Sequence, residues 1–140
     1  MRAARVVIAA CAFASLPAMA NDSLTAPGRT NGQNFKDRAL AACLSEAYKG
    51  TPAGDDADAS RSAFIEWTYY DDERGNPAVD RLVDEYLKRD YSTPVEGYAG
   101  FSFALLKCLD MYHSKALADQ VRRFVPHADW VGDKPPRKKR

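Results

Sequence analysis

The chain has 140 residues and near-balanced charge, 20 Lys plus Arg against 19 Asp plus Glu, for a formal net charge of +1. With 46% hydrophobic and 28% charged residues it is long enough for one core and too short for two ordinary domains. That balance excludes a strongly basic nucleic-acid-binding module, and 8 Gly with 8 Pro exclude a fibrous or low-complexity chain.

The first twenty residues read as a secretory signal. Arg2 and Arg5 form a positive n-region, residues 6–16 are apolar, and Ala18-Met19-Ala20 is a small-x-small cleavage site. The apolar run is too short to span a bilayer. Cleavage is expected after Ala20, and the bacterial style of the site makes the periplasm the expected destination. Ile8-Ala9-Ala10-Cys11 also resembles a lipoprotein site, but the apolar run before Cys11 is short and continues past it. Residues 21–133 carry 13 basic and 19 acidic groups, net −6, whereas Lys134, Arg137, Lys138, Lys139 and Arg140 crowd the last seven positions. An acidic body suits a cationic protein partner, because opposite fields raise the encounter rate.

Residues 21–32, rich in Asn, Asp, Ser, Thr, Pro and Gly, are expected to form a mobile leader. A first helix is predicted over 34–48, with Phe35, Ala39, Leu40, Cys43, Leu44 and Ala47 in its apolar stripe and Gly50 past its end. Residues 51–58 read as a polar loop. A second helix is predicted over 59–71, presenting Ala63, Phe64, Trp67 and Tyr70. A third is expected to open with Asn76 as cap and Pro77 in its first position. Val79, Leu82, Val83, Tyr86 and Leu87 then follow at helical spacing, with Asp80, Arg81, Asp84, Glu85 and Lys88 on the other face. Residues 90–100 read as a loop. The fourth helix, 101–111, is apolar almost all round and is expected in the middle of the core. Ser114 caps a fifth, which aligns Leu117, Val121, Phe124 and Val125 before Pro126 stops it. The expected architecture is an all-α bundle of about five helices over 33–126, followed by a basic, disordered tail over 127–140.

After signal removal Cys43 and Cys108 are the only cysteines, both at apolar helix positions. In an oxidising compartment a disulfide between them is the expected state, and two small buried hydrophobes that never meet are the alternative. Catalytic equipment is sparse. His113 and His127 share no metal-ligand spacing, Asp71-Asp72-Glu73 lacks a calcium-loop pattern, and no Gly-rich phosphate loop occurs. A Cys–His113 nucleophile pair would need a free thiol. No catalytic residue, metal or cofactor is expected.

Several blocks in order carry a resemblance. They are Asn34-Phe35-Lys36-Asp37 through Tyr48-Lys49, Glu66-Trp67-Thr68-Tyr69-Tyr70-Asp71, Leu82-Val83-Asp84-Glu85-Tyr86-Leu87 with Arg89-Asp90-Tyr91-Ser92, and Lys107-Cys108-Leu109-Asp110 with Tyr112-His113-Ser114. Together they span about residues 34–125 and resemble the type VI secretion amidase immunity proteins, the family that neutralises the fourth class of secreted cell-wall amidases.

The resemblance implies an all-helical periplasmic homodimer that binds a papain-like cysteine amidase, an enzyme cutting peptidoglycan peptides between D-glutamate and diaminopimelate, in a 2:2 assembly. It implies a docking helix, here residues 77–88 with Asp80, Arg81, Asp84, Glu85 and Lys88 outward. It also implies an inhibitory loop entering the amidase groove, here Ser92, Thr93, Pro94, Val95, Glu96, Gly97 and Tyr98. In that scheme Glu96 reaches the amidase's catalytic His while Tyr91 or Tyr98 fills the cleft. The competing reading is a periplasmic helical adaptor or ligand-binding module with no toxin partner. Neither reading involves nucleic acid or stable membrane insertion.

Overall fold

The computed structural model describes residues 22–91 and 96–136. Five α-helices account for the fold: α1 (Asn31–Ala47), α2 (Pro52–Ala63), α3 (Asp72–Leu87), α4 (Ala104–His113) and α5 (Lys115–Phe124). Among the described residues there is no strand, only an isolated bridge between Val131 and Lys134. Helix α1 is central and packs against each of the other four. Its Phe35, Ala39, Ala42 and Cys43 meet Val79, Leu82, Val83 and Tyr86 of α3, Cys108 and Met111 of α4, and Leu117 and Phe124 of α5.

Local chemistry explains where the helices begin. Helix α1 starts three residues before the expected point because Thr30 and Gln33 form a reciprocal capping box. The expected loop 51–58 is instead the start of α2. Thr51 accepts a hydrogen bond from the Gly54 amide at 3.2 Å, and Pro52 occupies the first turn. The helix was hard to read because Gly54 is its only buried residue, so it has almost no apolar stripe. Gly54 is needed there, since a Cβ at this position would lie 2.2 Å from the Tyr48 carbonyl oxygen at the end of α1.

The second helix ends earlier than expected. Residues Phe64–Trp67 form a single 3₁₀ turn, and the chain then extends so that the Tyr69 amide donates to Asn31 Oδ1 (3.1 Å) and the Asp71 amide to the Phe124 carbonyl (2.8 Å). Helix α3 is capped by Asp71, not Asn76, and Pro77 lies inside it. Asn76 accepts a hydrogen bond from the Tyr70 hydroxyl at 2.8 Å, while Tyr70 packs edge-on against Phe35. Helix α5 starts as expected, with Ser114 accepting from the Leu117 amide.

The largest correction concerns α4. It does not run through the middle of the core; only Lys107, Cys108 and Met111 are buried. A domain this small cannot surround a second helix on every side when α1 already fills the centre. Cys43 and Cys108, both wholly buried, form a disulfide with Cα atoms 5.6 Å apart that fastens α4 to α1. Closing a loop of 65 positions stabilises the chain by about 4 kcal/mol in the chain-entropy treatment.

Two segments expected to be loose ends have partners. Asn34 Nδ2 donates to the Ala26 carbonyl at 3.0 Å, and Asn31 Nδ2 donates to the carbonyls of His127 (3.2 Å) and Gly132 (2.8 Å). The contacts of the helical domain therefore extend beyond Pro126. Residues 1–21, which contain the expected signal segment 1–20, and residues 137–140 lie outside the described residues.

Candidate functional site

The outer face of α3 is a charged ridge. Its inner side chains, Val79, Leu82, Val83 and Tyr86, are consumed by the core, which fixes the rotation of the helix and turns Asp80, Arg81, Asp84, Glu85 and Lys88 outward. All five sequence-predicted residues are exposed, four on α3 and Lys88 at its C-cap. Lys88 pairs with Asp84 at 3.0 Å, Arg89 with Glu85 at 2.7 Å, and Arg61 of α2 approaches Asp80 at 3.9 Å. Such exposed pairs hold the ridge in register but contribute little to stability. Arg81 has no ion-pair partner within 4.0 Å among the described residues.

At the end of α3 the chain turns into the candidate loop. Ser92, Thr93, Pro94 and Val95 lie outside the described residues, whereas Glu96, Gly97 and Tyr98 are described and exposed. Tyr98 packs edge-on against Phe101 with ring centroids 5.8 Å apart. Gly97 and Gly100 have φ of 90° and 89°, a backbone that suits glycine. The near end of the loop is anchored, because the Tyr91 hydroxyl donates to Asp110 Oδ2 of α4 at 2.6 Å. That bond to a carboxylate raises the Tyr91 pKa above its ordinary value.

A second anchor is buried. Lys107 of α4 sends its ammonium 3.1 Å from the carbonyl oxygen of Leu87, the last residue of α3. A cation at a helix C-terminus is electrostatically favourable, and here it fixes the direction in which α3 hands over to the loop.

Sequence reasoning missed a third surface. Leu105 (50% exposed), Leu106 (38%) and Leu109 (37%) form an apolar outer face on α4, which Phe101 (67%) extends just before the helix and which is continuous with Tyr48 and the α1–α2 cleft. The signal was the all-round apolarity of the segment, which was read as burial. A contiguous apolar patch on a small domain marks an interaction surface.

Catalytic alternatives lack their parts among the described residues. Both described cysteines are bonded, and no group of three potential metal ligands occurs. His113 sits at the end of α4 edge-on to Tyr112, and His127 stacks on Trp130 at 4.0 Å.

Comparison with known proteins supplies the remaining evidence. Residues 33–121 match the family model described as "Tai4: Type VI secretion system (T6SS), amidase immunity protein". No curated protein sequence matches the chain. Among solved structures, one from work titled "New Type VI-secreted toxins and self-resistance proteins in Serratia marcescens" has a TM-score of 0.68 and 24% identity, covering 85% of this chain and 94% of that one; it supports the fold. Another, of the effector–immunity system Tae4/Tai4 from Salmonella typhimurium, has a TM-score of 0.62 and 25% identity, covering 73% of this chain and 96% of that one.

Proposed function

The chain belongs to the Tai4 family, the amidase immunity proteins of the type VI secretion system, and we propose that it works in the periplasm by occluding the groove of a secreted peptidoglycan amidase. It is an immunity protein, not an enzyme. The partner in this reading is a papain-like D-glutamyl–diaminopimelate endopeptidase, and the beneficiary is the producing cell exposed to its own or its neighbours' effector. The signal segment, cleaved after Ala20, would deliver the protein to the compartment where that substrate lies.

The observation that carries this reading is a charged, exposed helix face whose end is braced by Tyr91–Asp110 and Lys107–Leu87, with Glu96, Gly97 and Tyr98 exposed a few residues further on. Docking through α3 would use a polar rim of Asp80, Arg81, Asp84, Glu85 and Lys88. The loop, with Pro94 limiting the entropy lost on binding, would present Glu96 and Tyr98 to the groove. The homodimer is supported by the apolar outer face of α4, which a second copy would cover, and two such chains with two amidases make a 2:2 complex.

The test follows peptidoglycan cleavage while the protein, produced from the full chain, is titrated into the amidase encoded beside it. Stoichiometric loss of cleavage is expected. Replacing residues 94–98 with a Gly-Ser linker is expected to abolish inhibition while leaving much of the binding. Full cleavage and no complex with the unaltered protein would favour the alternative of a periplasmic adaptor.

A further inference from the structure

Helices α3 and α5 diverge enough to leave a surface groove of about 610 Å³. Its polar lining is Glu73, Arg74, Arg81 and Glu85 on α3 and Asp119, Gln120 and Arg123 on α5, with Arg74 already paired to Asp71. Several of these charges are already satisfied. Glu85 is held by Arg89 at 2.7 Å, and Asp119 by Lys115 at 2.8 Å and by Arg122. Arg81 and Arg123 are different. Neither has an ion-pair partner within 4.0 Å among the described residues, and the Arg123 guanidinium lies 5.4 Å from the Phe124 ring centroid. Gln120 donates through Nε2 to the Ala78 carbonyl at 3.0 Å, while its buried Oε1 has no hydrogen-bond partner.

Two uncommitted guanidiniums from two helices thus share a groove. We propose that this groove receives an acidic side chain of the amidase, gripped by Arg81 and Arg123. The proposal rests on the immunity reading above and adds α5 to the docking surface. Guanidinium forks match carboxylate geometry. The body of the chain is acidic, net −6 over residues 21–133. Two free cations in such a surface set register, because a partner shifted along the groove would bring its carboxylate against Glu73 or Glu85.

Binding to the neighbouring-gene amidase tests this by calorimetric titration of the unaltered protein and of R81A, R123A, the double variant and K49A. Lys49 is exposed at the end of α1 and pairs with Glu46, away from the groove, so K49A reports the effect of net charge alone. Each arginine variant is expected to weaken binding about tenfold or more, the double variant by less than the product of the two, and K49A by less than about twofold. Unfolding midpoints are expected to stay unchanged, since both side chains are exposed. Binding of R81A and R123A at unaltered strength overturns the groove while leaving the immunity reading in place. An equal loss in K49A also overturns it, by showing a general field effect. Failure of the unaltered protein to bind overturns both.

Discussion

Lys107 of α4 donates to the carbonyl of Leu87, 3.1 Å away, and so ties the end of the charged helix to the helix that the disulfide fastens to the core. The ammonium meets a carbonyl that the helix itself cannot satisfy. Lys107→Met keeps the stem and removes the cation, leaving that carbonyl without its partner. The expected loss is about 1–3 kcal/mol, read as a shift in the urea midpoint at unchanged slope. A midpoint equal to that of the unaltered protein would mean that the stem alone matters at this position.

Asn31 is wholly buried and joins three separate segments. Its Oδ1 accepts from the Tyr69 amide and its Nδ2 serves the carbonyls of His127 and Gly132. Asn31→Ala strands one donor and two acceptors, and the expected cost is about 2–4 kcal/mol. Hydrogen exchange checks the mechanism, since amide protection near residues 69 and 128–132 is expected to fall before that of the core of α1.

Asp71 gives the pH dependence. Hydrogen bonds from the Arg74 side chain and amide hold its carboxyl below the ordinary value of 3.8. A depressed folded-state pKa means that the ionised cap stabilises the fold above the unfolded value, and that this contribution is lost as pH falls through the folded one. Asp71→Asn can still cap but cannot ionise. Its stability deficit is therefore expected to be present at neutral pH and to shrink below about pH 4, as thermal unfolding at several pH values would show. A deficit that persists at low pH would assign the effect to geometry, not charge.

The outer face of α4 sets the assembly prediction. Leu105→Glu with Leu109→Glu is expected to convert a dimer into a monomer in sedimentation equilibrium without lowering the unfolding midpoint, because neither side chain is in the core. An unaltered protein that already sediments as a monomer would remove the dimer from the proposed scheme. A fall in the midpoint would show that these leucines pack within their own subunit.

The interior was legible in the sequence wherever one face of a helix repeats. Phe35, Ala39 and Cys43 on α1, Val79, Leu82, Val83 and Tyr86 on α3, and Leu117 and Phe124 on α5 could all be read from spacing, because helical geometry alone puts them on one side. The outward set from Asp80 to Lys88 followed as its complement. The starts of α2 and α3 were less legible. Thr51 and Asp71 compete with other good caps nearby, and a cap is chosen by what the preceding chain must reach, which for Asp71 is Asn31 and Phe124.

Sequence by itself determined the helical class, the core faces and the two cysteines available for a bridge, since these depend on periodicity and composition. Only the tertiary structure decided that α4 lies at the edge with its leucines in water, that residues 127–132 fold back onto α1, and that Arg81 and Arg123 share a groove. Each of these depends on which surfaces are left once α1 has taken the centre, and a single sequence carries no local signal for contacts between segments so far apart along the chain.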